Sequence, residues 1–130
     1  MHILFVDDNR DTLNLFSMAF VLAGHRVSTA SSGTEAFELL SKHHFDAVLL
    51  DIEMPNLSGW QVLELIRESP FQNKIPVIMF SAEHSEAKEQ RARQSGVYTL
   101  LRKPMLPEYV IAAVEQAVNE RIADSNEKSI

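Results

Sequence analysis

Residues 47–51 read Ala-Val-Leu-Leu-Asp and decide the fold class, because four consecutive apolar residues of strand length end at a single acid. A strand that is apolar at every position, without alternation, is typical of a parallel sheet covered by helices on both faces. Four further apolar runs of strand length lie at residues 3–6, 27–30, 76–80 and 97–101. The sequence therefore predicts five strands.

Segments with helical periodicity separate these apolar runs. The predicted helices cover residues 11–23, 34–43, 59–68, 84–95 and 107 to about 123. Gly24 and Gly96 follow the first and the fourth helix, where glycine commonly caps a helix C-terminus. Five alternating βα units with right-handed crossovers predict an α/β fold: a doubly wound five-stranded parallel sheet with five helices, of flavodoxin-like order.

Length and composition limit the classes of protein to which the chain can belong. With 130 residues, 45% of them hydrophobic and 23% charged, the chain has the size and composition of one globular domain. We assign residues 1–123 to that domain and residues 124–130 to a polar C-terminal tail. The net charge is −6 and no segment forms a dense basic cluster, so we expect no direct binding of nucleic acid.

The absence of cysteine excludes a disulfide framework, a thiolate metal site and a cysteine nucleophile. The apolar N-terminal run meets two acids at Asp7 and Asp8, and is far too short for a signal peptide or a membrane span. We therefore expect no membrane insertion and a cytoplasmic location.

Chemically informative side chains stand where the predicted strands end. The first strand ends at Asp7 and Asp8, the third at Asp51, the fourth at Ser81, and Lys103 follows the fifth. Carboxyl ends of parallel strands share one edge of the sheet, and ligands of doubly wound folds bind beyond that edge. Three carboxylates crowded there repel one another by about 4 kcal/mol per pair at about 4 Å, unless a cation lies between them. Oxygen ligands favour a hard ion, and the set predicts Mg²⁺.

The same edge has the groups that hold a phosphoryl group. Phosphoryl transfer depends on positioning and on neutralising charge at the transferred oxygens, and a metal ion, the Lys103 ammonium and the Ser81 hydroxyl supply both. A carboxylate can itself be the covalent nucleophile. We therefore predict that Asp51 is the phosphoryl acceptor.

Four segments in this order resemble the response-regulator receiver domain of two-component signalling. They are Val6-Asp7-Asp8-Asn9, Leu49-Leu50-Asp51-Ile52-Glu53-Met54-Pro55 with Gly59, Met79-Phe80-Ser81-Ala82-Glu83, and Lys103-Pro104. Each motif alone is weak, but all four at matching strand ends are highly specific. The resemblance covers residues 2–122, nearly the whole chain.

The resemblance implies a role for each site residue. Asp51 accepts the phosphoryl group from a phosphohistidine; Asp8, Asp51 and the backbone carbonyl of Glu53 bind Mg²⁺ directly, and Asp7 binds it through water. Ser81 and Lys103 contact the phosphoryl oxygens. Members of the family usually have a cis peptide before the proline, here Lys103-Pro104.

The resemblance further implies a switch whose chemistry is self-phosphorylation and slow self-dephosphorylation, and which is not otherwise an enzyme. Its implied partners are a histidine kinase or histidine phosphotransfer protein, which donates the phosphoryl group, and a downstream protein target.

Two positions depart from the family pattern. Leu100 stands where receiver domains commonly have the Tyr or Phe that rotates inward on activation, which puts aromatic switching in doubt. Met105 stands where Phe often follows the proline.

The helix predicted at residues 84–95 has only two apolar side chains, Ala87 and Ala92, so we expect it to be the least firmly held helix and to move with the loop after Ser81.

Other functions remain open at this point. The chain fits a receiver fragment of a larger regulator or hybrid histidine kinase. A Mg²⁺-dependent phosphatase of the haloacid-dehalogenase type also uses an aspartate after a strand. That family has the motif Asp-x-Asp at the nucleophile, whereas here Glu53 stands where the second aspartate would be. A flavin module needs an anion cradle after the first strand, where Asp7, Asp8 and Asp11 repel anions. The acidic set argues against a docking domain that does not depend on phosphate.

Overall fold

The computed structural model describes residues 1–70 and 72–128. Strands and helices alternate strictly along the chain. The strands are β1 His2–Val6, β2 Arg26–Ala30, β3 Ala47–Asp51, β4 Val77–Ser81 and β5 Thr99–Arg102. The helices are α1 Arg10–Leu22, α2 Gly33–Lys42, α3 Gly59–Glu68, α4 Glu86–Gln94 and α5 Pro107–Lys128.

All five strands are parallel and lie in the order β2-β1-β3-β4-β5. The predicted doubly wound sheet is therefore confirmed. The chain moves from β1 outward to β2 and then crosses back to β3 on the other side of β1, so the winding direction reverses between β1 and β3. Such a reversal opens a crevice at the carboxyl ends of the two strands, and both β1 and β3 lead into acids there.

Alternation along the three central strands divides the apolar side chains between two cores, one on each face of the sheet. In β1, Leu4 and Val6 pack toward one face, and Ile3 and Phe5 pack toward the other. The first core lies under α2, α3 and α4, and the second lies under α1 and α5. Burial on both faces explains why these strands are apolar without interruption.

The strand β5 begins two residues later than the apolar run at 97–101 predicts. The N–H of Val97 donates to the carbonyl of Ala92 (3.1 Å), and that of Gly96, at φ +73°, donates to Arg93 (3.3 Å). This pair of bonds is a Schellman motif that ends α4, and it confirms the predicted cap at Gly96. Val97 belongs to the helix cap, so the strand starts only at Thr99.

The last helix extends beyond its predicted end near Ala123 and reaches Lys128. The sequence has neither Gly nor Pro after Pro107, so nothing local stops the helix there. The predicted tail is therefore helical as far as Lys128, and residues 129–130 lie outside the described residues. Within residues 1–70 and 72–128, no helix combines the length and the apolarity that a bilayer crossing requires.

Candidate functional site

Three carboxylates meet at the carboxyl edge of the sheet. One oxygen from each of Asp7, Asp8 and Asp51 lies within 4.8 Å of the other two. Asp7 and Asp51 are 0% and 3% exposed, whereas Asp8 faces solvent. Because ligands at about 2.1 Å from an octahedral Mg²⁺ lie up to about 4.2 Å apart, these oxygens need only a small contraction to share one ion. The cluster therefore fits a hard divalent cation in both chemistry and spacing.

Lys103 lies between the two buried acids. Its Nζ is 2.9 Å from Asp7 Oδ2 and 3.4 Å from Asp51 Oδ1. The Lys103 backbone N–H donates to the carbonyl of Ser81 (2.8 Å), which ties the end of β5 to the end of β4. The Lys103-Pro104 peptide is cis, as the resemblance implies. The ammonium thus reaches the Asp51 carboxylate from the residue that follows β5.

The environment of Asp51 disfavours its charged form. Burial, and next the charge of Asp7, raise the pKa of Asp51 to about 7, while Lys103 and its hydrogen bond act in the opposite direction. Burial lowers the pKa of Lys103, but the hydrogen bond to Asp7 and the two nearby carboxylates raise it above its ordinary value overall. The Asp51 carboxylate therefore depends on nearby cations to be ionised near neutral pH.

Asp7 is held from two directions. The backbone N–H of Asn9 donates to Asp7 Oδ1 (2.9 Å), while Lys103 binds Oδ2. Asn9 in turn caps α1, since its side-chain oxygen accepts from the N–H of Thr12 (3.1 Å). The start of α1 thus fixes the orientation of the acid beside Asp51.

The loop between β3 and α3 requires glycine at position 59. The Gly59 N–H donates to the carbonyl of Ile52 (2.9 Å), so α3 begins directly against the end of β3. A Cβ at this position would overlap the Asp51 carbonyl and lie 2.8 Å from the Ile52 Cα, and neither backbone atom can move freely. The close approach fixes the backbone that presents Asp51.

Ser81 lies at the same edge but its hydroxyl is bonded away from Asp51. Its Oγ lies 2.8 Å from Glu53 Oε1 and 2.6 Å from the Glu83 carbonyl, both of which are acceptors. The Oγ also accepts from the Glu83 N–H (3.1 Å). Among the described residues, no hydrogen bond joins Ser81 to Asp51. The structure thus brings Asp7, Asp8, Asp51 and Lys103 together, and leaves Ser81 engaged elsewhere.

Two further side chains, those of Glu53 and Lys88, lie at this edge and are not predicted from the sequence. The resemblance implies a role only for the Glu53 backbone carbonyl, yet its carboxylate accepts a hydrogen bond from the Ala82 N–H (3.0 Å). Lys88 Nζ lies 3.3 Å from Ser81 Oγ and 3.1 Å from the Glu83 carbonyl. Lys88 lies in the first turn of α4, and no signal in the sequence points to its contacts with Ser81 and Glu83.

The two departures from the family pattern are apolar packing positions. Leu100 is partly buried against the core under α2, α3 and α4, and Met105 packs against the opposite core. Trp60 is buried and packs within the first core.

Comparison with known proteins places this arrangement in a family. The family model described as the response regulator receiver domain matches residues 3–115. The chain is 31% identical over 109 residues to the polar-differentiation response regulator DivK of Brucella ovis, covering 83% of this chain and 89% of that protein. It is 32% identical over 127 residues to the probable transcriptional regulator ycf27 of Cyanidium caldarium, covering 98% of this chain but only 49% of that protein.

A solved structure has the same fold. The chemotaxis protein CheY4 of Vibrio cholerae superimposes with a TM-score of 0.84 at 30% identity, over 89% of this chain and 97% of that chain. The similarity therefore extends over nearly the whole domain.

Proposed function

This chain belongs to the response regulator receiver domain family and is a phosphoryl-accepting switch of two-component signalling, and from that membership we propose that Asp51 is its acceptor. One observation carries the assignment. Asp51 is a buried carboxylate at the end of a central strand, with a lysine ammonium 3.4 Å away and two further acids within 4.8 Å. No other acid of the cluster ends a strand of the sheet.

The proposed reaction is a single displacement at phosphorus. An oxygen of the ionised Asp51 carboxylate forms the new O–P bond, the P–N bond of a donor phosphohistidine breaks, and the imidazole nitrogen keeps the electron pair. Lys103 lies where its ammonium can bind a phosphoryl oxygen, because it already reaches Asp51 Oδ1. Hydrolysis of the resulting acyl phosphate by water regenerates the carboxylate, and we propose no further turnover.

Receiver domains typically bind Mg²⁺ at such an acidic cluster. We propose that Asp7, Asp8, Asp51 and the backbone carbonyl of Glu53 hold the ion in this chain. When bound, Mg²⁺ would neutralise charge on the transferred oxygens. The chain itself contributes three closely spaced carboxylates and the burial of Asp51.

The proposed partners are a histidine kinase or histidine phosphotransfer protein as donor and a protein that recognises the phosphorylated form. Both assignments rest on family membership. The chain spans about half the length of the ycf27 relative and 89% of the DivK relative. We propose only that its downstream target is a protein. Family membership also supports the proposed cytoplasmic location.

Acetyl phosphate with Mg²⁺ tests the acceptor directly. Intact mass should show one added phosphoryl group on the wild type and none on Asp51→Asn. The exposed Asp124, on the last helix, provides a matched control, and Asp124→Asn should be phosphorylated like the wild type. Equal incorporation in wild type and Asp51→Asn would refute the assignment.

A further inference from the structure

The carboxylate of Glu53 accepts hydrogen bonds from donors at the end of β4 and in the loop that follows it. A single oxygen, Oε1, lies 2.8 Å from the Ser81 hydroxyl, 3.0 Å from the Ala82 N–H and 3.3 Å from the Glu83 N–H. A hydroxyl and two consecutive backbone N–H groups directed at one oxygen form a small anion site. Within the described residues, the anion in that site is the side chain of Glu53.

These are the donors that lie beside the acceptor. Ser81 ends β4, which is paired with β3, and Asp51 ends β3. A serine hydroxyl has one proton and can donate it to one oxygen at a time. As long as that proton is shared between Glu53 and the Glu83 carbonyl, it is not available to a phosphoryl oxygen on Asp51.

We propose that the Glu53 carboxylate is an internal competitor of the phosphoryl group: it holds the donors after β4 in the unphosphorylated chain and leaves them when Asp51 is phosphorylated. This inference rests on the proposed function of Asp51. The carboxylate and the phosphoryl group are both anionic, so they repel each other while they compete for the same donors. Phosphorylation of Asp51 therefore acts first on the side chain of Glu53, two residues later in the sequence.

Lys88 links this exchange to α4. Its Nζ lies 3.9 Å from Glu53 Oε1, 3.3 Å from Ser81 Oγ and 3.1 Å from the Glu83 carbonyl. When the Glu53 carboxylate leaves, Lys88 loses one anionic neighbour and the loop that it binds rearranges. Since Lys88 belongs to the first turn of α4, the change reaches the helix through a direct contact.

Titration with beryllofluoride at saturating Mg²⁺ tests the competition, because this phosphoryl analogue binds reversibly and its dissociation constant can be measured. Glu53→Ala removes the competing carboxylate and keeps the backbone carbonyl. It should tighten beryllofluoride binding by at least threefold, and Glu53→Gln, which keeps a neutral acceptor, should tighten it less. Glu86→Ala removes an equal charge from an exposed position at the start of α4 and should leave the constant unchanged.

Amide hydrogen exchange, measured first without and then with beryllofluoride, is the second test. In Glu53→Ala, the Ala82 and Glu83 amides should exchange faster than in the wild type, and bound beryllofluoride should restore their protection. Equal or weaker beryllofluoride binding by Glu53→Ala, with saturation of each variant by Mg²⁺ verified, would overturn the inference. If wild type itself fails to bind beryllofluoride or to be phosphorylated, the proposed function fails instead, so the two failures are distinguishable.

Discussion

The helices α3 and α4 flank the same site, but they are held by different forces. α3 buries Trp60, Val62, Leu63 and Ile66, and a capping box between Ser58 and Gln61 closes its N-terminus. α4 buries only Ala92. Apolar burial does not respond to charge at Asp51, whereas hydrogen bonds and ion pairs do.

The contacts of α4 are polar and converge on the site. Lys88 contacts Ser81, Glu53 and Glu83, and Arg91 lies over the Trp60 ring with its Cζ 4.3 Å from the ring centroid. The contrast indicates that α3 is the fixed frame of the site and that α4 is the element whose position depends on the charge there.

Ile66→Ala should lower the free energy of unfolding by about 4 kcal/mol, because it removes most of a buried side chain from the core under α2, α3 and α4. The corresponding change on α4, Ala92→Gly, removes one buried methyl group and a helix-favouring residue, and should cost about 2 kcal/mol. Urea unfolding of both variants measures the difference. An equal loss in the two variants would remove the distinction between the helices.

Asp51→Asn should stabilise the protein increasingly as pH rises. The pKa of Asp51 is about 7 in the folded chain, above its ordinary value of 3.8, so the folded state retains a proton that the unfolded state has lost. The wild type therefore loses stability between about pH 4 and pH 7, and Asp51→Asn does not share this loss. From pH 5 to pH 8 in EDTA, the stability difference should grow by about 3 kcal/mol.

Urea unfolding at the two pH values, with Asp124→Asn as a control, measures this growth. A constant difference between Asp51→Asn and wild type would show that the buried carboxylate imposes no cost on the fold. The contrast between α3 and α4 would then lose its electrostatic basis at Asp51.

At this site, the sequence predicts which residues share the edge of the sheet but does not predict where their side chains point. Parallel strands end at one edge, so the positions of Asp7, Asp51 and Lys103 could be predicted from the order of the apolar runs and the acids that follow them. Backbone order does not determine where a rotatable hydroxyl or a long side chain points. For that reason the partners of Ser81 could not be read from sequence.

Glu53 and Lys88 illustrate the same limit. They are 35 residues apart in sequence, and only the closed fold brings their charged groups to 3.9 Å. The late start of β5 has a different origin, because Val97 is apolar enough for a strand but its N–H is used by the helix cap. The apolar pattern of a strand and the hydrogen bonds of a helix cap compete at such positions, and the apolar pattern alone does not decide between them.

Arg91→Ala should destabilise the protein by about 1 kcal/mol through loss of the cation–π contact with Trp60. Arg93→Ala, which removes a cation from the exposed face of the same helix, is the matched control and should cost less. A loss for Arg93→Ala as large as that for Arg91→Ala would mean that α4 is not attached through Trp60.

Lys88→Ala should change stability by less than about 1 kcal/mol, since its partners are partly exposed. Its effect should fall on signalling: phosphorylation should still occur, but the exchange change that it produces in α4 should be at least halved. Hydrogen exchange before and after acetyl phosphate treatment measures this, and an unaltered response in Lys88→Ala would remove Lys88 from the connection.

We expect phosphorylation to act through the loop after β4 and through α4, and hydrogen exchange of the wild type measures both segments. Without phosphate, residues 82–96 should exchange faster than the other helices. With acetyl phosphate and Mg²⁺, exchange in residues 82–96 should change while exchange in residues 59–68 should not. Uniform protection of all helices, with no change at residues 82–96 on phosphorylation, would contradict the account.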